Sequence, residues 1–233
     1  AEDNKQNNRN ERLETFTTKI FNTMELVTNN FTPHFVDMSQ HITIKSDYLP
    51  HWHQQGKTQF VTFRLADSLP QEKLQELDDY KKDWLKLHPQ PWDKQTAYKY
   101  EQEVRKKTEK WLDAGYGSCI LGCSDIRKIV SDSLFHFNNT HYYIHHFVIM
   151  PNHVHLLITP IGENTINITL GKIKRYTANA INKVLGTKGE IWQRLIFDHM
   201  VRDQSSYEKF VNYINDNPRN LSTDKYTLYN SEI

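Results

Sequence analysis

The sequence predicts an α+β fold, a small antiparallel sheet with helices packed on it. Three observations lead there. "HYYIHHFVIM" and "HVHLLITP" are rich in β-branched and aromatic residues and read as two strands joined by the short "MPN" turn. "QFVTFRL", residues 59–65, is a third strand of the same kind, far upstream. The segments between and after them carry apolar residues at helical spacing, and their order does not alternate as a parallel sheet requires.

Each element can be justified in turn. Residues 1 to about 40 are rich in Asn and Thr; "LETFTTKIFNTMELV" reads as a marginal helix behind a mobile tail. After the strand at 59–65, "DSLPQEKLQELDDYKKDWLKLH" is a helix. Ser68 is its candidate N-cap, Pro70 suits its first turn, and Leu74, Leu77, Trp84 and Leu87 form its stripe. "HPQPW" breaks it. "DKQTAYKYEQEVRKKTEKWLDAG" is a second helix ended by Gly115. "SDIRKIVSDSLFHFNN" is a third, with Ser124 as cap and Ile126, Ile129, Val130, Leu134 and Phe137 inward. The two-strand hairpin follows. "INITLGKIKRYTANAINKVLG" is a helix closed by Gly186, "IWQRLIFDHMV" a strand, and "QSSYEKFVNYINDNP" a last helix stopped by Pro218. The expected organisation is an N-terminal arm over 1–45, one domain over 46–221 with a helical insertion at about 70–113, and a C-terminal tail over 222–233.

Composition sets limits. Of 233 residues, 37% are hydrophobic and 24% charged, as in soluble globular proteins. No apolar run approaches the roughly 18 residues of a membrane span, and the polar start lacks an apolar signal core. Cys119 and Cys123 read as free thiols, so a reducing cytoplasm is expected. The net charge of +1 favours no partner. Its distribution is uneven. Between Asn164 and Arg202 seven basic residues, Lys172, Lys174, Arg175, Lys183, Lys188, Arg194 and Arg202, stand against Glu190 and Asp198. Such a stretch faces phosphates or is a solvated helix face.

The chemistry concentrates on His153 and His155. On a strand, residues i and i+2 share a face, so both imidazoles leave the sheet together while Val154 turns to the core. A metal ion between them is the first candidate. On the last helix Tyr213 and Asn217 are spaced i, i+4 and share a face. Asn217 offers a carbonyl oxygen to the same ion, and Tyr213 a phenol that could attack an ion-bound phosphodiester. His145 and His146 should point to opposite sides and bind no metal. Tyr176, among basic residues, is a rival nucleophile or a surface for stacking a base. Trp192 and Gln193 read as core or DNA contacts, and His51, Trp52 and His53 as a second polar-aromatic cluster. A hydrolytic zinc enzyme is disfavoured, because the chain has no HExxH.

"VIMPNHVHLLITP", "KIKRYTANAIN", "IWQRLIFDHMVRD" and "YINDNP", in that order, resemble the REP-associated tyrosine transposases. These belong to the HUH (His-hydrophobic-His) single-strand nucleases. "YLPHWHQQGKTQFVTFRLADSLP" and "WLDAGYGSC" resemble one branch of the family, and the likeness runs from about Tyr48 to Asn220. It implies a ferredoxin- or RRM-like HUH fold, metal ligands at His153, His155 and Asn217, and a catalytic Tyr213. It also implies cleavage of single-stranded DNA beside a hairpin or palindromic repeat, leaving a 5′-phosphotyrosine and a free 3′-hydroxyl. Mg²⁺ or Mn²⁺ would be the cofactor, imidazole favouring Mn²⁺ on ligand type. Lys172, Lys174, Arg175, Tyr176, Arg194 and Arg202 would bind DNA, and the chain would act as a monomer or homodimer away from membranes. The rival expectation is a non-catalytic DNA-hairpin-binding protein.

Overall fold

The computed structural model describes residues 32–41, 43–46 and 50–231. The helix expected over 13–27 and most of the N-terminal arm lie outside the described residues. The first elements are β1 (Thr43–Ser46) and β2 (Pro50–His53), an antiparallel pair that the sequence did not suggest. Next come β3 (Gln59–Arg64), α1 (Gln71–Leu87), α2 (Lys94–Asp113) and α3 (Ser124–Phe135). The hairpin of β4 (Tyr142–Ile149) and β5 (His153–Pro160) follows, then α4 (Ile166–Leu185), β6 (Phe197–Met200), α5 (Gln204–Asp216) and β7 (Thr227–Asn230). Among the described residues, five strands form one antiparallel sheet in the order β6-β3-β5-β4-β7. The α+β architecture is as expected. No helix among the described residues is long and apolar enough to cross a membrane.

The sheet has two differently built faces. Val61, Phe63, Val154, Leu156, Ile158, Ile144, Phe147 and Ile149 turn to one side. There they meet Ile126, Val130 and Leu134 of α3 and Ile166, Leu170, Ile173 and Ile181 of α4 in a continuous apolar core. The opposite side carries Phe60, Leu157 and Val148, covered by Tyr207, Phe210 and Ile214 of α5. The spacing i, i+3, i+7 of those three gives α5 its apolar stripe. The helix is started by Asp203, whose carboxylate accepts from the Ser206 N–H at 2.7 Å.

Several local expectations change. Ser68 does not cap α1; Pro70 stands at that position without a side-chain bond, and the Ser68 hydroxyl turns back to the Leu65 carbonyl. Ser124 is the first residue of α3, with Cys123 at the cap position. Of the strand expected over 191–201 only Phe197–Met200 pairs with β3; Trp192 makes an isolated bridge to Leu65 and is buried, its indole donating to Thr177 Oγ1. The expected C-terminal tail contains β7, which pairs along the free edge of β4. Arg127 holds that segment, donating to the Asp224 carbonyl and to Thr227 Oγ1. Gly186 ends α4 in the left-handed region, φ 65°, as expected.

His145 and His146 lie on one side of the sheet, against expectation. The β4–β5 register slips between Ile144 and His146, a bulge that places two successive residues on one side. Both rings lie beside Tyr207 of α5, at 5.6 and 6.0 Å, not on opposite faces. His145 Nε2 bonds Thr159 Oγ1 and His146 Nδ1 bonds Asn230 Oδ1, which leaves them as satisfied buried side chains.

Candidate active site

The α5 face gathers His153, His155, Tyr213 and Asn217. The Nε2 atoms of His153 and His155 lie 3.0 Å apart, and the Tyr213 hydroxyl is 3.4 Å from His155 Nε2. Asn217 sits at the C-cap of α5, its N–H bonded to the Tyr213 carbonyl one turn back, and its Oδ1 is buried without a hydrogen-bond partner. Phe60 stacks on His155 and on Phe210, and so fixes the distance between sheet and helix.

The other ring nitrogens are held from behind. Asn152 donates through Nδ2 to the carbonyls of Leu112 and Tyr116, which settles its orientation. Its Oδ1 therefore accepts from His153 Nδ1 at 2.7 Å and leaves the lone pair of His153 on Nε2. Thr62, directly opposite His155 in the β3–β5 register, holds His155 Nδ1 at 2.8 Å. Burial pushes His153 down to about 3 and His155 well down, His155 further by its neighbour, so both rings are neutral.

The insertion adds groups the sequence reading missed. Arg105, Glu109 and Asp113 recur every fourth residue along α2, and the charges of all three act on Tyr213. Burial pushes Glu109 up to about 7, despite Arg105 Nη1 at 3.4 Å. The Tyr213 phenol is pushed far up, first by burial and then by the Glu109 and Asp113 charges. A cleft of about 370 Å³ leads to His153, Tyr213 and Asn217, with Asp113, Asp216 and Arg219 at its walls. Thr62 had a signal: it and Arg64 interrupt one face of an otherwise apolar strand. Asn152 carries in the sequence only the signal of a turn residue. Nothing in the sequence ties α2 to the sheet.

Among the described residues no three His, Cys, Asp or Glu side chains cluster as a metal site. The donor set here is two imidazoles and an amide oxygen, and it fits a divalent cation. Two nitrogens bound to one ion at about 2.1 Å and near right angles lie about 3 Å apart, as these do. The unmet Asn217 oxygen would gain a partner, and a cation would offset the carboxylates that oppose Tyr213 ionisation.

The remaining DNA-binding candidates are dispersed. Lys172, Arg175 and Tyr176 are exposed on α4, which covers the other face of the sheet, and Tyr176 is 64% exposed. It is separated from the histidine pair by the sheet. Lys174 turns to the carbonyls of Gln193 and Arg194. Arg194 is exposed, and Arg202 stacks its guanidinium on Tyr98.

Residues 125–217 match the family model described as Transposase IS200 like, a span that includes α3, the hairpin, α4 and α5. An uncharacterized protein of Haemophilus influenzae (strain ATCC 51907 / DSM 11121 / KW20 / Rd) is 30% identical over 96 residues, covering 32% of this chain and 53% of that protein. The chain thus spans about half the length of this curated relative. A solved structure of a REP-associated tyrosine transposase bound to a REP hairpin is similar with a TM-score of 0.42 and 19% identity, over 76% of this chain and 74% of that one. The family match agrees with the resemblance carried by the sequence motifs.

Proposed function

We propose that this chain is a metal-dependent endonuclease and strand transferase for single-stranded DNA, acting beside hairpins through a 5′-phosphotyrosine on Tyr213. The observation that carries the reading is the convergence of two neutral imidazole nitrogens, a partnerless amide oxygen and a phenol in one buried corner. Mg²⁺ or Mn²⁺ bound by His153, His155 and Asn217 would polarise the scissile phosphate and favour the phenolate. Asn152 and Thr62 keep the two imidazoles in the orientation that presents Nε2. The Tyr213 oxygen attacks phosphorus as its proton is removed, the bond to the 3′ oxygen breaks, and that oxygen takes a proton from water and leaves as a 3′-hydroxyl. Glu109, held near neutrality, is suited to take the phenol proton and return it when the hydroxyl re-attacks. One nucleophilic tyrosine per chain means that exchange between two DNA ends uses two protomers or two successive events.

The test is a labelled hairpin oligonucleotide with a single-stranded flank, incubated with Mn²⁺ and run on a denaturing gel. The unmodified chain should form a covalent adduct that maps to Tyr213. Tyr213→Phe should bind the hairpin and form none. An adduct that persists there and vanishes in Tyr176→Phe would move the nucleophile to α4. No adduct from the unmodified chain on any such strand would favour a hairpin-binding protein without turnover.

A further inference from the structure

A second cavity, of about 640 Å³, lies between the α1–α2 insertion, β3 and residues 193–197. Thr62, which holds His155, lines it, so it begins one side chain from the reaction centre. Arg64 lines it too, and the β3–β5 register sets Arg64 directly opposite His153. Paired residues of neighbouring strands lie about 5 Å apart at Cβ and project to the same side.

Arg64 is an unusual lining. Its guanidinium is mostly buried, yet among the described residues no carboxylate pairs with it. Among the described residues only its Nη1 is engaged, by Ser68 Oγ at 3.0 Å and the Leu65 carbonyl. Lys174 adds positive charge nearby, opposed in part by the Glu190 carboxylate. On the facing wall Arg105, paired through Nη1 with Glu109, keeps a buried Nε without a partner. A buried cation without an anion is costly unless a ligand supplies one. Among the other lining residues Leu69, Leu77, Leu195 and Ile196 form an apolar stretch, beside polar positions that include Asp78 and Glu109. Cationic donors at one side and apolar walls at the other match a nucleotide, whose phosphate and base need those two environments.

We propose that this cavity binds one nucleotide of the single strand next to the scissile phosphate, its phosphate on Arg64 and its base among the leucines. The insertion then selects where the strand is cut, since the nucleotide held here fixes which phosphate reaches Tyr213. The inference rests on the reading of the chain as a single-strand nuclease.

Binding is measured in a Tyr213→Phe background with hairpin strands in which one flank position at a time is abasic. A single position beside the cut should lose affinity by roughly ten-fold, and Leu195→Trp, which fills the rim, should abolish that position's effect. Arg64→Gln should weaken binding by about ten-fold or more and lower the slope of log K against log salt by about 0.7. Its thermal midpoint should not fall, because an unpaired buried charge is removed. Uniform sensitivity along the flank would overturn the proposal. So would an Arg64→Gln chain with unchanged affinity and salt slope, whether or not its midpoint falls. The adduct formed by the Tyr213-containing chain on the same strands reports separately on the nuclease reading.

Discussion

Val154, Leu156 and Ile158 leave β5 on one side, and His153, His155 and Thr159 leave it on the other. The first three enter a core where the sheet meets α3 and α4 mainly through apolar side chains, its hydrogen bonds closed internally, as between Trp192 and Thr177. The second three meet a face on which nearly every polar atom has an assigned partner: Thr62 for His155, Asn152 for His153, Thr58 and His145 for Thr159. Stability and chemistry are thus carried by alternate residues of the same strands. Period-two geometry lets a mutation touch one without the other.

The sharpest way to test that separation is His153→Ala. It should abolish cleavage while hairpin affinity and folding persist; parallel loss of binding and cleavage in a well-folded variant would assign His153 to structure. On the other face, Leu156→Ala should cost about 2–5 kcal/mol of stability. Urea unfolding would read it, and activity per folded molecule should be unchanged. A loss of activity at full folding would break the comparison.

Acid titration probes the α5 face more gently. Burial, then His146 and His34, push His145 down to about 3 from 6.5. The folded state thus binds fewer protons than the unfolded one between those values, and the stability this group allows above pH 6.5 is lost as pH falls toward 3. The slope is about 1.4 kcal/mol per pH unit for one such site. His145→Gln should flatten the fall of the urea midpoint between pH 6.5 and 5; an unchanged slope would show that His145 titrates normally. The smallest effect is expected on the outer surface of α4. Arg175→Ala should reduce the salt slope of hairpin binding by about 0.7 if it contacts a phosphate, without moving the cut. No change at all would leave Arg175 as a solvated surface residue.

The hairpin, the helices and the two pairs, His153 with His155 and Tyr213 with Asn217, were legible because strand and helix periods announce which residues share a face; that the two pairs belong to one site rested on the family resemblance. Two kinds of feature were not. The bulge at His145 leaves no mark in a run where every residue suits a strand, so alternation assigned its side wrongly. The contributions of α2 depend on how an insertion of some forty residues folds back, which no local period encodes. β7 was hidden for another reason: "TLYN" is too short and too polar to read as a strand until an open edge is present to receive it.

Asn152 has one acceptor and two donors, and all three are allotted: the acceptor to His153, the donors to the end of α2 and the loop after it. A single amide thereby synchronises two things that could otherwise drift apart, the tautomer of a candidate ligand and the depth at which Glu109 and Asp113 hang over Tyr213. No other residue of that size offers the same three bonds. Asp would keep the acceptor and lose both donors, Leu would lose everything, and Gln would reach too far. The turn between β4 and β5 is therefore the point at which the insertion's timing is set against the sheet. Its tolerance for substitution should be lower than that of any exposed turn of equal length.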